Sequence, residues 1–278
     1  MKFKTSYILL FLFVTTISFA QKKEKIKGSK IITVTVKEID TFDSVDIADN
    51  LEVYLVKADK NSVEIEADDN LHDAIIFEII GSTLKLYSTK NVISAKKYSV
   101  RINYTNELNL IVVKNDAKLN ALADLTLDNI TIKNYDNSKS FLNVKSNSFA
   151  LMLNDKAKAE LNIKAEKATL ELSTNSELKA LITSTELKLD MYQKSKAEIE
   201  GEVKSANIRL DNNTSLKAKK LTSNQMNLVT EMYSYAEINV KDSVIISASG
   251  KSEIKFLGDA KVELPVFKNN ANLQKIEK

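Results

Sequence analysis

The residues in this chain that could do chemistry are few. His72 is the only imidazole, it stands beside Asp73, and there is no cysteine, so zinc sites built from His with Cys and a Cys-His nucleophile pair are excluded. A Ser-His-Asp arrangement would have to recruit a serine from far along the chain, and His72 reads instead as a surface or turn residue. Asp190, Arg209 and Asp211 come nearest to the clustered carboxylates with a basic partner that a polysaccharide-cleaving site needs. Asp190 and Arg209 alternate with the apolar pairs Leu189/Met191 and Ile208/Leu210, which turns them to solvent as an ordinary ion pair. No catalytic, cofactor-binding or metal-ligating residue is assigned from the sequence.

Two other groups recur at matching places. Asn115, Asp136, Asp155, Thr174, Gln193 and Asn212 form a polar series that could ligate calcium or grip a sugar. Only two of these six are acidic, so the series reads as turn residues that satisfy backbone groups and one another. Tyr135, Tyr192, Tyr233 and Tyr235 fall at or next to one corner in several repeats, where outward rings would make a flat ridge for a sugar or a partner protein. These four are the candidate ligand contacts; the bland reading has the rings covering the corner or belonging to the end of the stack.

The elements that must position them follow from a period. Apolar pairs two residues apart recur as Ile111/Val113, Ile130/Ile132, Leu151/Leu153, Leu170/Leu172, Leu189/Met191, Ile208/Leu210, Met226/Leu228 and Val244/Ile246, at spacings of 18 to 21 residues. Such regularity means a solenoid whose coils run to about 19 residues. After each pair comes a second strand opening on a small residue: Ala117, Ser138, Ala157, Ser176, Ser195, Thr214, Ser234 and Gly250. A third apolar position recurs at Val144, Ile163, Ile182, Val203, Leu221 and Val240, as a three-faced parallel β-helix would require. Small residues at corners let one coil sit on the next at the ~4.8 Å spacing of paired strands.

Before the repeats, Val45/Ile47, Val53/Leu55, Val63/Ile65, Leu84/Leu86 and Val100/Ile102 alternate as strands with one buried face. The best helical candidate is the short stretch 71–80. Residues 31–104 are expected to form a β-rich cap on one end of the stack, because open solenoid ends expose strand edges.

At the N-terminus, Lys2 and Lys4 precede an apolar run, and Ser18-Phe19-Ala20 supplies small residues at a cleavage site, so residues 1–20 read as a secretory signal. Residues 21–30 read as a flexible polar leader, 31–267 as one solenoid domain with coils repeating from about 108, and 268–278 as a fraying polar tail. The net charge of +3 includes Lys2 and Lys4, leaves no basic face and makes nucleic acid an unsuitable partner. With no cysteine, stability must come from packing and backbone hydrogen bonds. The mature chain is expected to be extracytoplasmic, in the periplasm, at the cell surface or secreted.

The segment Phe42-Asp43-Ser44-Val45-Asp46-Ile47-Ala48-Asp49-Asn50-Leu51-Glu52-Val53-Tyr54-Leu55-Val56, followed by Val63-Glu64-Ile65, Leu84-Lys85-Leu86 and Val100-Arg101-Ile102, resembles the opening of the putative auto-transporter adhesin, head GIN domain family. Ser249-Gly250-Lys251-Ser252-Glu253-Ile254 and Gly258-Asp259-Ala260-Lys261-Val262 resemble its closing coil, and the likeness spans about residues 40–267. The resemblance implies a right-handed parallel β-helix, secreted or surface-exposed, of Bacteroidetes-type bacteria, with no established catalysis. The family's coils turn through Gly-Ser-Gly-like elements, whereas here only Gly250 keeps a glycine.

The expectation is thus a non-catalytic binding or structural module for a glycan, an envelope component or a protein, with no cofactor. The alternative is a polysaccharide-modifying enzyme. Three carboxylates converging in a groove beside Lys or Arg would favour that alternative; exposure of Tyr192, Tyr233 and Tyr235 on one ridge would favour the module.

Overall fold

The computed structural model describes residues 23–277, so the expected signal segment lies outside the described residues. The fold is nearly all β, with 67% strand and 2% helix, wound into a β-solenoid of about nine turns with coils of about 19 residues. Strand Lys158–Leu172 shows how one coil is made. Its side chains alternate, so that Ala159, Leu161 and Ile163, then Ala168, Leu170 and Leu172, point into the stack and are buried. It pairs in parallel with Lys139–Leu153 on one side and Glu177–Met191 on the other, each nineteen residues away in register, as in Leu151↔Leu170↔Leu189. Identical faces therefore stack, and the inward residues join into one continuous apolar core.

The register moves three of the expected apolar pairs by two residues. Ile111 stands on Ile132 and Val113 on Asn134, and Ile208/Leu210 stand on Leu228/Thr230. Leu228/Thr230 stand in turn on Ile246/Ala248. The column is Ile132/Asn134, Leu228/Thr230 and Ile246/Ala248, not Ile130/Ile132, Met226/Leu228 and Val244/Ile246. Each of these arms has three inward positions, and where the third is polar or small the two apolar ones mark the wrong pair. All remain inward, because a slip of two preserves the face. The buried polar members are satisfied: the Asn134 amide donates to the Ser138 and Ser140 hydroxyls at 3.1 and 2.9 Å, and Thr230 donates to Ser252 at 3.2 Å. The small-residue column likewise runs Ala117, Ser138, Ala157, Ser176, Ser195, Thr214, Ser234 and ends on Ser252 instead of Gly250, every member buried. The third apolar position lies in the same continuous strand as the residue before it, and Gly201, not Val203, stands on Ile182.

The polar series sits where the chain turns most sharply. Asn115, Asp136, Asp155, Thr174, Gln193 and Asn212 all have φ between 51° and 62°, the left-handed region that Asn, Asp and Gly tolerate best. Their side chains also tie coil to coil: Asp136 accepts from the Asn115 backbone N–H at 2.9 Å, and Asp155 from that of Asp136 at 3.3 Å. Met232 occupies the same turn with φ 61° and an exposed, unbranched apolar side chain that gains nothing from the site. Met232→Asn is expected to raise stability by about 0.5–1 kcal/mol through relief of left-handed strain, read as a higher denaturant midpoint at unchanged slope.

The N-terminal region is woven into the stack. Ser44–Ile47 and Glu52–Lys57 form a coil between Leu110–Val113 with Lys118–Ala121 on one side and Thr83–Ser88 with Tyr98–Tyr104 on the other. The chain thus enters at the second coil, builds the end coil, and then crosses back to propagate the repeats. Ile75–Ile80 pairs antiparallel with Thr83–Ser88, and Ser62–Asp68 lies antiparallel between Tyr98–Tyr104 and Ile32–Glu38, closing this end. The stretch 71–80 is a 3-10 turn, Asp69–Ala74, followed by strand, since Ile75 onwards finds an edge to pair with.

Neither the leader nor the tail is free. Lys25–Lys27 pairs with Asn91–Ser94, and the Asp68 carboxylate holds the next turn by accepting from the backbone N–H groups of Lys30, Lys96 and Lys97 at about 3 Å. Burial pushes the Asp68 carboxyl upward, but those N–H donors and the Lys30 charge outweigh it and hold it below its ordinary value. At the other end Asn272–Lys275 pairs with Glu253–Leu257 and adds to the last coil.

Candidate functional site

Alternation that sends one set of side chains into the core sends the other set outward, and the register aligns the outward set across the whole sheet. One row reads Tyr54, Asn120, Phe141, Glu160, Lys179, Glu198, Lys217, Glu237 and Lys255, each on the next strand. Two residues further along lie Asn143, Asn162, Leu181 and Glu200, and then Lys220, three residues past Lys217 because the register shifts by one there. From Glu160 to Lys255 the first row alternates in sign at every strand, so each charge has opposite neighbours and the face stays near neutral.

Between these rows lies an open groove of about 620 Å³, lined by Phe141, Asn143, Glu160, Asn162, Lys179, Leu181, Glu198 and Glu200. Phe141 and Leu181 are 39% and 47% exposed, large apolar groups that the core does not use. They stand two coils apart, roughly 10 Å across the strands. Neighbouring concavities on the same face continue it, one toward Tyr54, Arg101 and Leu122, the other toward Lys217 and Lys220. An apolar ring and an isobutyl group flanked by amides and carboxylates can hold a polymer with flat apolar patches and many hydroxyls or amides.

Three carboxylates and one ammonium do meet in this groove. Lys179 stands between Glu160 and Glu198 in the row, and Glu200 is tied to Lys220 at 2.7 Å. Among the described residues no three His, Asp or Glu side chains are grouped to hold a metal ion.

The sequence-assigned tyrosines do not form one ridge. Tyr135 and Tyr192 share a position just before the left-handed turn residue, three coils apart; Tyr233 follows that turn and Tyr235 lies in the next strand, on the same face as the groove. Only Tyr233 is well exposed, at 57%, with the Lys251 ammonium 5.5 Å from its ring centre. Tyr135 donates to the Met152 sulfur at 3.5 Å, and Tyr235 donates to Glu237 with Lys255 over its ring. Burial raises the phenol pKa of Tyr192 and Tyr235, helped by Asp190 for the first and Glu237 for the second, so both remain neutral. Asp190 and Arg209 are neighbours in register but choose other partners: Arg209 pairs with Glu231 at 2.8 Å and Lys188 with Asp190 at 3.2 Å. His72 bonds the hydroxyls of Thr33 and Thr35, at 2.9 and 3.3 Å.

Sequence reasoning missed the groove, because Phe141 and Leu181 become neighbours only once the nineteen-residue register is known. The signal was present as two large apolar residues at outward positions of amphipathic strands.

Parallel coils stacked on a continuous core, with an amphipathic groove along one outward face, define a β-solenoid. The chain belongs to the family described as putative auto-transporter adhesin, head GIN domain, whose model matches residues 41–260. A crystal structure of a putative adhesin from Parabacteroides distasonis is similar with a TM-score of 0.68 at 19% identity, covering 91% of this chain and 100% of that one. A putative adhesin from Parabacteroides merdae gives 0.60 at 19% identity over 91% and 99%. A putative lipid binding protein from Parabacteroides distasonis gives 0.62 at 16% identity over 91% and 100%. No curated protein matches the sequence. The family and these structures are described as adhesins or binding proteins, not as enzymes, and no helix among the described residues is long and apolar enough to cross a membrane.

Proposed function

We propose that this chain is a non-catalytic, extracytoplasmic binding module that lays an extended glycan of the cell envelope along the groove between Phe141 and Glu200. The exposed pair Phe141 and Leu181 set among Asn143, Asn162 and the flanking carboxylates carries the reading. Sugar rings present apolar faces that pack on such side chains, while their hydroxyls bond amides and carboxylates. The family membership and the apolar stretch before Ala20 support an extracytoplasmic setting. The tyrosines extend this reading as secondary contacts: Tyr235 lies on the groove face and Tyr233 beside it, whereas Tyr135 and Tyr192 are packed at the corner.

A second reading, a polysaccharide-modifying enzyme, is favoured by one observation, the presence of Glu160, Glu198 and Glu200 with Lys179 in one groove. Against it, Lys179 intervenes between the first two and Lys220 engages the third.

The test is a glycan and envelope-component array probed with the chain from Gln21 and with Phe141→Ala and Leu181→Ala. Saturable binding that weakens about ten-fold or more in either variant, at unchanged melting, is expected. Binding untouched by both variants would move the site elsewhere, and binding only to proteins would replace the glycan.

A further inference from the structure

We infer that two copies of this chain associate through the free edge of strand Ile32–Glu38, antiparallel about a twofold axis at Val34. Among the described residues this strand pairs on one side only, with Ser62–Asp68. The Ile31 carbonyl accepts from the Asp69 N–H at 2.8 Å and the Ile39 N–H donates to the Asn61 carbonyl at 3.3 Å, so odd-numbered residues bond that neighbour. In an antiparallel ladder the intervening residues then face the other way, which leaves the N–H and C=O groups of Ile32, Val34, Val36 and Glu38 open. The side chains of Ile32, Val34 and Val36 are exposed on the outward face at 38%, 56% and 61%. A seven-residue edge without Pro or Gly, with Ile32, Val34 and Val36 on one face ahead of Lys37 and Glu38, is a template for another strand.

At the opposite end of the rod one edge strand is protected. Strand Lys261–Phe267 carries Pro265, the only proline in the chain, where the pairing with Tyr235–Ala248 slips between Ile245 and Ser247. Proline lacks the donor and a bulge spoils the ladder, which are two devices that prevent edge pairing. The N-terminal edge has neither.

The occupant is a second copy because the edge complements itself. With the axis at Val34, Ile32 faces Val36, Thr33 faces Thr35, and Glu38 stands opposite Lys30 of the second copy at both ends of the pairing, where the Lys30 ammonium exchanges its 2.9 Å bond to the Ser94 hydroxyl for the carboxylate. Moving the axis to Thr35 would set Glu38 against Ile32 and lose that charge pairing. Three narrow pairs supply about six backbone hydrogen bonds. Association in this way merges the outward faces of two rods, so that both grooves lie on one sheet face and a long polymer meets two sites. The pairing itself does not depend on what the groove binds.

Sedimentation velocity of the chain from Gln21 over a wide concentration range tests the inference. A monomer–dimer equilibrium is expected. Val34→Pro removes only an outward N–H and keeps the bonds to Ser62–Asp68, and it should raise the dimer Kd by about ten-fold or more, as should Val36→Lys, which stands in if the proline variant does not fold. Glu38→Lys should weaken the dimer and Lys30→Glu combined with it should restore it. A monomer at every concentration, a dimer indifferent to these changes, or chains growing beyond two copies would overturn the inference.

Discussion

Met191→Asp is expected to unfold the middle of the stack. Met191 is fully buried, with Leu172 on one side and Leu210 on the other in the same column. A carboxylate placed there has no partner within an apolar column, and burying it costs several kcal/mol even if it takes up a proton. That is a large share of the ~5–15 kcal/mol that holds a typical domain together. Because each coil contacts only its neighbours, the loss should spread from strand Glu177–Met191 to the strands beside it. Circular dichroism should show early melting, and hydrogen exchange should show lost protection in residues 158–210 first. Lys188→Ala on the outward face of the same strand breaks only an exposed pair with Asp190, and should change stability by about 0–1 kcal/mol. Native-like melting of Met191→Asp would contradict the column assignment.

Gly201→Ala is expected to be almost as damaging for a change of one methyl group. Gly201 has φ 118°, which side-chain-bearing residues rarely adopt, and a Cβ there would lie 2.0 Å from the Ile182 carbonyl oxygen of the preceding coil. Backbone strain of about 1–3 kcal/mol adds to a steric conflict with main chain, which cannot rotate away. A loss of about 3–5 kcal/mol in denaturant unfolding follows. Gly81 provides the contrast: its φ is 64° and nothing lies within 4 Å of its missing Cβ, so Gly81→Ala should cost only about 1–2 kcal/mol. Equal effects at the two positions would mean that coil-to-coil contact at Gly201 is looser than the geometry requires.

Inward alternation at a fixed period reveals the solenoid, because every coil must bury the same face against its neighbours, and it places Leu151, Leu170, Leu189 and Ile208 in one column correctly. Period two cannot tell which of three inward positions begins a face, so Ile130/Ile132, Met226/Leu228 and Val244/Ile246 slip by two. The left-handed turn was legible in Asn115, Asp136 and Asp155, whose residue types are suited to it. The entry of the chain at the second coil was not, because Val45/Ile47 joins the repeats at a separation of sixty-six residues, outside any local pattern. The same holds for the leader and the tail, whose polar composition hides strands that only complete an edge. The tyrosines fall in different columns because nearness to a corner in sequence does not fix the column: Tyr192 precedes the turn and Tyr233 follows it. The groove depends on register between distant residues and on which outward side chains are apolar, and composition averages both away.

Recognition without chemistry is the centre of this account. The most direct measurement is to incubate the chain from Gln21 with the glycans it captures and follow reducing ends and product masses in the same wells. Saturable binding with the glycan recovered unchanged is the predicted result. Release of shortened or modified sugar that disappears in Glu160→Gln or Glu198→Gln would contradict it, and would make the carboxylates beside Lys179 a working active site.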